Sequence, residues 1–194
     1  MEHNRGTKSI LLAGVGGQGI LRASDILCQV LMDVGLDAKK SEVHGMAQRG
    51  GCVTSHVRYG QKVHSPIAQK GDVDILLSFE KCESLRYLDY MKRDGVIIIN
   101  NAEIYPPSVN LGEVIYPQSV YDLVSVIFKK VKIVDAYEMA VRTGNVRTEN
   151  TVLLGALSLY LPIEPVVWER VLRENFPPKV VEANIMAFQL GRVT

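Results

Sequence analysis

Lys8-Ser9-Ile10-Leu11-Leu12-Ala13-Gly14-Val15-Gly16-Gly17-Gln18-Gly19-Ile20 is the stretch on which the fold turns. Its apolar run reads as a buried strand, and a glycine loop follows at once. Ile20, Ala23, Leu27, Val30, Leu31 and Val34 then recur at helical spacing. Gly14, Gly16 and Gly19 form G-x-G-x-x-G between strand and helix, the context in which that pattern carries meaning. The first glycine is expected to allow a tight turn, the second to let backbone approach a ligand, and the third to let helix pack on strand. The N–H groups of a helix start can hold an anion. The same glycines also suit a tight crossover with no ligand at all.

Downstream, Leu36 to Ser41 reads as a second strand ending at Glu42, which lies 23 residues beyond Gly19. A dinucleotide-binding fold places its ribose-binding acid at such a position. Lys39 and Lys40 precede it, which weakens a nicotinamide reading. His44-Gly45-Met46-Ala47-Gln48-Arg49-Gly50-Gly51 is too polar and glycine-rich for a core helix, and its paired glycines suggest backbone passing close to something. Cys52 to Tyr59 alternates like a half-exposed strand. Gly60-Gln61 suits a turn and Lys62 to Ile67 a return, which together predict a β-hairpin inserted into the parallel fold. His56 and His64 would then face each other across it.

Val73 to Phe79 and Gly95 to Asn100 read as parallel core strands, with Asn100 and Asn101 at a strand end where ligand crevices lie. Between them, Glu83 to Met91 suits a helix. Gly112 to Tyr116 suits a short strand, Ser119 to Phe128 a helix and Val131 to Val134 a strand. Asp135-Ala136-Tyr137-Glu138 has the form of a capping box. Three helices follow, over Thr148 to Leu161, Pro165 to Glu174 and Val180 to Leu190. The first carries Gly155, Ala156 and Ser158, small residues that let another helix approach. The expected architecture is α/β: a Rossmann-like, mostly parallel sheet with helices on both faces, an inserted β-hairpin and a helical C-terminal cap, in one domain over residues 1–194.

Composition excludes several classes. The net charge of +1 gives no general nucleic-acid footprint. No apolar run approaches the roughly 18–20 residues that span a bilayer, so no membrane role is expected. The polar start, Met1 to Lys8, holds no signal-peptide core, which leads to the expectation of a cytoplasmic protein. Cys28, Cys52 and Cys82 are scattered and form no C-x-x-C, so neither a ferredoxin-type cluster nor a zinc ribbon is expected. No Ser/His/Asp set and no metal-ligand spacing is present, so no catalytic and no metal-ligating residue is assigned. Lys39, Lys40, Arg49, Arg58, Lys62 and Lys70 accumulate against one carboxylate, Glu42, a local basic patch suited to a phosphorylated ligand or an acidic surface. Such a chain shapes a site that another polypeptide completes.

Three blocks now combine. Gly14 to Gly19, Glu42 to Gly51 and Ser55 to Gly60, extended by Ser65-Pro66-Ile67, Asp74, Phe79-Glu80, Gly144-Asn145, Asn150, Leu154-Gly155-Ala156, Asn184 and Phe188, resemble the gamma-type subunit of 2-oxoacid:ferredoxin oxidoreductases. Within that family the chain is most similar to the small subunit of the indolepyruvate branch. The resemblance implies oxidative decarboxylation of a 2-oxoacid, indolepyruvate or another aryl pyruvate, to an acyl-CoA. It implies coenzyme A as the co-substrate and ferredoxin as the electron acceptor. It also implies that thiamine diphosphate, Mg2+ and iron–sulfur clusters reside on a large catalytic subunit, that this chain is inactive alone, and that Ala47 to Gly51 lies toward coenzyme A and the partner. Together, the residues and the resemblance nominate Gly14, Gly16, Gly17, Gln18, Gly19, Glu42, His44, Gln48, Arg49, Gly50, Gly51, His56 and Arg58 as ligand- or interface-binding. A stand-alone NAD(P)-binding oxidoreductase and a non-catalytic interaction protein are the alternatives.

Overall fold

The computed structural model describes residues 6–44 and 51–194. β1 (Lys8–Val15) passes through the glycine loop into α1 (Ile20–Asp33), and β2 (Asp37–His44) and β3 (Cys52–Gly60) follow. β4 (Val73–Ser78), α2 (Glu83–Arg86), a 3-10 turn at Leu88–Tyr90 and β5 (Met91–Asn100) come next. Then come α3 (Pro107–Asn110), α4 (Val120–Ile127), β6 (Lys130–Val134) and α5 (Ala136–Arg142). A 3-10 turn at Val146–Thr148 leads to α6 (Glu149–Ser158), α7 (Pro165–Asn175) and α8 (Pro178–Arg192).

The strands form a single six-stranded sheet in the order β2-β3-β1-β4-β5-β6. β1, β4, β5 and β6 pair in parallel, while β3 lies antiparallel between β1 and β2. The expected mostly parallel α/β fold is therefore present, with its inserted hairpin, but the hairpin is built differently. Its arms are β2 and β3, joined through the segment after His44. Lys62 to Ile67 is not a strand, and His64 is exposed, far from pairing with His56.

Packing explains that difference. β3 does alternate: Val53, Val57 and Tyr59 enter the core beneath α1, and Thr54, His56 and Arg58 occupy the other face. That polar face is covered rather than solvated. The Ala68 N–H donates to His56 Nδ1 at 3.4 Å, and the Tyr90 ring stands edge-on to the imidazole at 5.7 Å. Arg58 donates to Ser9 Oγ and to the carbonyls of Ser65 and Ile67, and pairs with Asp72 at 3.3 Å. The 62–67 segment thus lies over β3, its carbonyls spent on a guanidinium instead of a ladder.

The larger core joins α1 and α5 to α8 to one sheet face, with Trp168 and Phe188 stacked 5.6 Å apart. The second core seals the other face with α4, through Leu11, Leu76, Ile97, Ile99, Val120 and Val124. The small residues of α6 meet α8. A Cβ on Gly155 would overlap the Phe188 carbonyl, and one on Gly191 would overlap the Val152 carbonyl. Two further expectations change. The helix after Glu80 is a single turn followed by a 3-10 turn, and Gly112 to Tyr116 forms no strand. Asp135 does occupy the N-cap of α5, but its side chain accepts from Asn101 at 2.5 Å and makes no capping bond.

Candidate functional site

From β1 the chain travels toward the β2 edge, whereas β4, β5 and β6 fill the opposite side. The carboxyl ends of β1 and β4 therefore flank a topological switch point, where open sheets bind ligands. A cleft of about 730 Å³ opens there. Gly16 to Gly19 form one wall, and Phe79, Asn100, Asn101, Tyr137, Arg147, Glu149 and Asn150 form the others.

Each glycine of the loop has its own task. Gly14 lies within β1, where a Cβ would come within 2.7 Å of both Gln18 Oε1 and Phe79 Cβ. It makes room for packing rather than a turn. Gly17 takes the left-handed conformation at φ 106° with open space around it, though it lies outside the G-x-G-x-x-G positions. Gly19 caps α1 at φ 77°, and a Cβ there would meet Asn150 Nδ2 at 2.7 Å, so the third glycine admits α6 rather than the sheet. Gln18 staples the loop: its Oε1 accepts from the Val15 N–H at 2.8 Å and its Nε2 donates to the Phe79 carbonyl at 2.7 Å. The Gly16 N–H donates to the Gly51 carbonyl at 2.9 Å, which joins the glycine loop to the end of the 45–51 segment.

Of the opposite wall, the sequence marked Asn100 and Asn101, at a strand end, and not Tyr137, Arg147 or Glu149. Asn100 Nδ2 donates to the Phe79 carbonyl at 3.1 Å and its Oδ1 accepts from the Ala136 N–H at 3.2 Å, so one buried amide ties β4, β5 and α5 together. Glu149 opens α6 inside the cleft. Burial pushes its carboxyl above the usual 4.5, and a hydrogen bond from Asn100 works against that shift. A single acid at a helix start otherwise reads as a partner of the helix dipole. The cleft thus offers the positive end of a fourteen-residue helix at one wall and a half-buried carboxylate at the other.

Of the nominated residues, Gly16, Gly17, Gln18 and Gly19 line this cleft, Gly14 packs against Gln18 and Phe79, and Gly51 accepts a hydrogen bond from Gly16. Gln48, Arg49 and Gly50 lie outside the described residues. His44 ends β2 in register with Val53. Three nominations move away from the site. Glu42 pairs with Lys40 at 2.5 Å, and Lys40 also pairs with Asp25 of α1, so these charges seat α1 on the edge strand. With β3 between β2 and β1, Glu42 is two strands from the glycine loop and out of place for a ribose. His56 and Arg58 are held by the contacts that cover β3. Among the described residues no group of three or more His, Cys, Asp or Glu is arranged to hold a metal ion. No helix among them is long and apolar enough to cross a membrane.

Comparison with known proteins defines the class. Residues 9–193 match the family model described as pyruvate ferredoxin/flavodoxin oxidoreductase. The chain is 39% identical over 188 residues to the indolepyruvate oxidoreductase subunit IorB of Pyrococcus horikoshii, covering 94% of this chain and 93% of that one. Its fold matches the pyruvate oxidoreductase subunit PORC of Thermotoga maritima with a TM-score of 0.72 at 19% identity, over 96% and 95% of the two chains. It also matches 31% of a chain of the 2-oxoglutarate:ferredoxin oxidoreductase of Magnetococcus marinus, a structure with 2-oxoglutarate, coenzyme A and succinyl-CoA bound. That match has a TM-score of 0.73 at 21% identity and covers 97% of this chain. The chain belongs to the pyruvate ferredoxin/flavodoxin oxidoreductase family, as a gamma-type small subunit.

Proposed function

We propose that the chain, a single gamma-type domain over residues 1–194, completes the site of a cytoplasmic, thiamine-dependent oxidoreductase acting on indolepyruvate or another aryl pyruvate. In this reading a large subunit carries thiamine diphosphate, Mg2+ and the iron–sulfur clusters, which supply the decarboxylation and electron-transfer chemistry, and ferredoxin receives the electrons. The observation that supports it is the 2.9 Å bond from the Gly16 N–H to the Gly51 carbonyl, which holds the start of β3 against the glycine loop. Coenzyme A is the ligand this site suits, because the positive end of α1 favours phosphate. The carboxylate of Glu149 suits ribose hydroxyls. The same surface gives the nicotinamide alternative little support, since Glu42 is out of reach.

The test is reconstitution. The chain alone is expected to be colourless and inactive with any 2-oxoacid, while the chain with its large subunit reduces ferredoxin when given an aryl pyruvate and coenzyme A. Arg49→Ala in that complex is expected to raise the KM for coenzyme A by about tenfold to a hundredfold, the effect of losing one bond to a charged group. Decarboxylation by the isolated chain, or an unchanged KM, would overturn this assignment.

A further inference from the structure

The sheet has two edges, and they differ. At β2 the charges are settled within the chain: Lys40 pairs with Asp25 and Glu42, and Lys39 Nζ donates to the Val63 carbonyl at 2.5 Å. β6 ends the sheet on the other side, so its outer edge pairs with no strand among the described residues. Its sequence alternates, Lys130-Val131-Lys132-Ile133-Val134, and its two faces part accordingly. Val131 packs on the core beneath α4, and Ile133 shares that face and is exposed. Lys130 and Lys132 share the other face with Val134 of the larger core. Lys130 Nζ donates to the Asp94 carbonyl at 3.2 Å, and among the described residues no carboxylate pairs with Lys129, Lys130 or Lys132.

α4 extends the apolar half of this edge. Its buried residues are Val120 and Val124. On one flank Tyr121 donates to Asn101 Oδ1 at 2.5 Å, at the end of β5, and its ring lies 5.0 Å from Lys81 Nζ. Leu123 and Ile127 are on the other flank, toward β6 and its open edge, with Val126 beside them, and all three are more than half exposed. Lysines on a sheet edge ordinarily discourage any strand from adding to it. Here they alternate with β-branched residues beside an uncovered helix flank, which favours one kind of strand over others. An added strand gains affinity from main-chain bonds and specificity from alternate side chains. Opposite Lys130 and Lys132 it needs carboxylates, and opposite Val131 and Ile133 it needs apolar side chains that reach Leu123 and Ile127. A second copy of this chain is a poor occupant, because a two-fold contact sets Lys129, Lys130 and Lys132 against themselves. We propose that the edge of β6 accepts, as an added strand, an extended segment of the large subunit in which acidic and apolar residues alternate. The proposal rests on the subunit reading above.

The experiment takes the full-length chain and its purified large subunit, and reads affinity and amide hydrogen exchange. Exchange at residues 130–134 is expected to slow in the complex. Lys130→Glu combined with Lys132→Glu is expected to weaken binding by about tenfold, through two lost ion pairs and the repulsion that replaces them. Lys179→Glu, at the exposed start of α8, is expected to leave affinity unchanged, which separates the edge from net charge. Val126→Gln is expected to weaken binding without lowering the melting temperature of the isolated chain, and it serves should the double variant fail to fold. If wild type binds while exchange at 130–134 and the affinities of the double variant and Val126→Gln are unchanged, the proposal falls and the subunit reading stands. Slowed exchange without weakened binding, or the reverse, also overturns it, because the added strand requires both. Sedimentation of wild type with phosphatidylglycerol vesicles, lost in the double variant, assigns this face to a membrane and overturns it as well. If wild type does not bind the large subunit, both readings fall.

Discussion

At the residue scale the clearest reassignment is His56. Its imidazole has the Tyr90 ring edge-on beside it and a backbone N–H on its Nδ1, and burial lowers its pKa below the usual 6.5. The unfolded chain takes up a proton near 6.5 and the folded chain only below that, so the unfolded state binds more protons in between. Stability is therefore full above about pH 6.5 and declines as pH falls through the folded value. His56→Gln is expected to flatten that decline, and denaturation midpoints taken at several pH values between 5 and 7.5 check it. A ligand-binding histidine would instead change coenzyme A affinity and leave the slope alone. Gly14 and Gly19 show how far single residues were legible. The positions of close approach were marked by glycine, but what approaches each one was not, because Phe79 and Asn150 come from distant parts of the chain.

At the element scale the strands were legible by period and the pairing was not. β3 has an honest two-residue alternation, and the natural inference is that its polar face meets water. The face instead meets Ala68, Asp72 and Tyr90, whose arrival no local pattern announces. Covering segments of this kind are tertiary and leave no trace in the strand's own sequence. The α6–α8 contact was half legible, since Gly155 advertised a close helix but Gly191 did not. Gly191→Ala tests that contact directly. Its Cβ would meet the Val152 carbonyl and the α6 backbone, which cannot rotate away. Overpacking of this kind costs about 1–3 kcal/mol, and urea denaturation of the isolated chain is the measurement.

For the whole molecule, one carboxyl edge of the sheet carries two adjoining depressions, the glycine-loop cleft and a second across Ile104. That polarity follows from topology: the switch between β1 and β4 leaves space at their carboxyl ends, and α5 and α6 wall it in. The class of fold was legible because four apolar strands alternate with helices. The cleft's far wall was legible only at Asn100 and Asn101, because Phe79 and Asn150 stand 71 positions apart in the chain.

The position of β3 also bears on how the chain is made. β1 is made before both of its neighbours, and the packing of α1, begun by β2 and β3, is completed by α6 and α7. At about 5–20 residues per second, on the order of ten seconds separate the emergence of Leu31 from that of Phe188. Throughout that time the ribosome carries a helix whose apolar face is not yet fully covered. Release of a chain ending at Pro177 should therefore yield aggregate rather than a smaller folded protein, as judged by sedimentation of the truncated product. The same product made in the presence of a holding chaperone should stay in the supernatant.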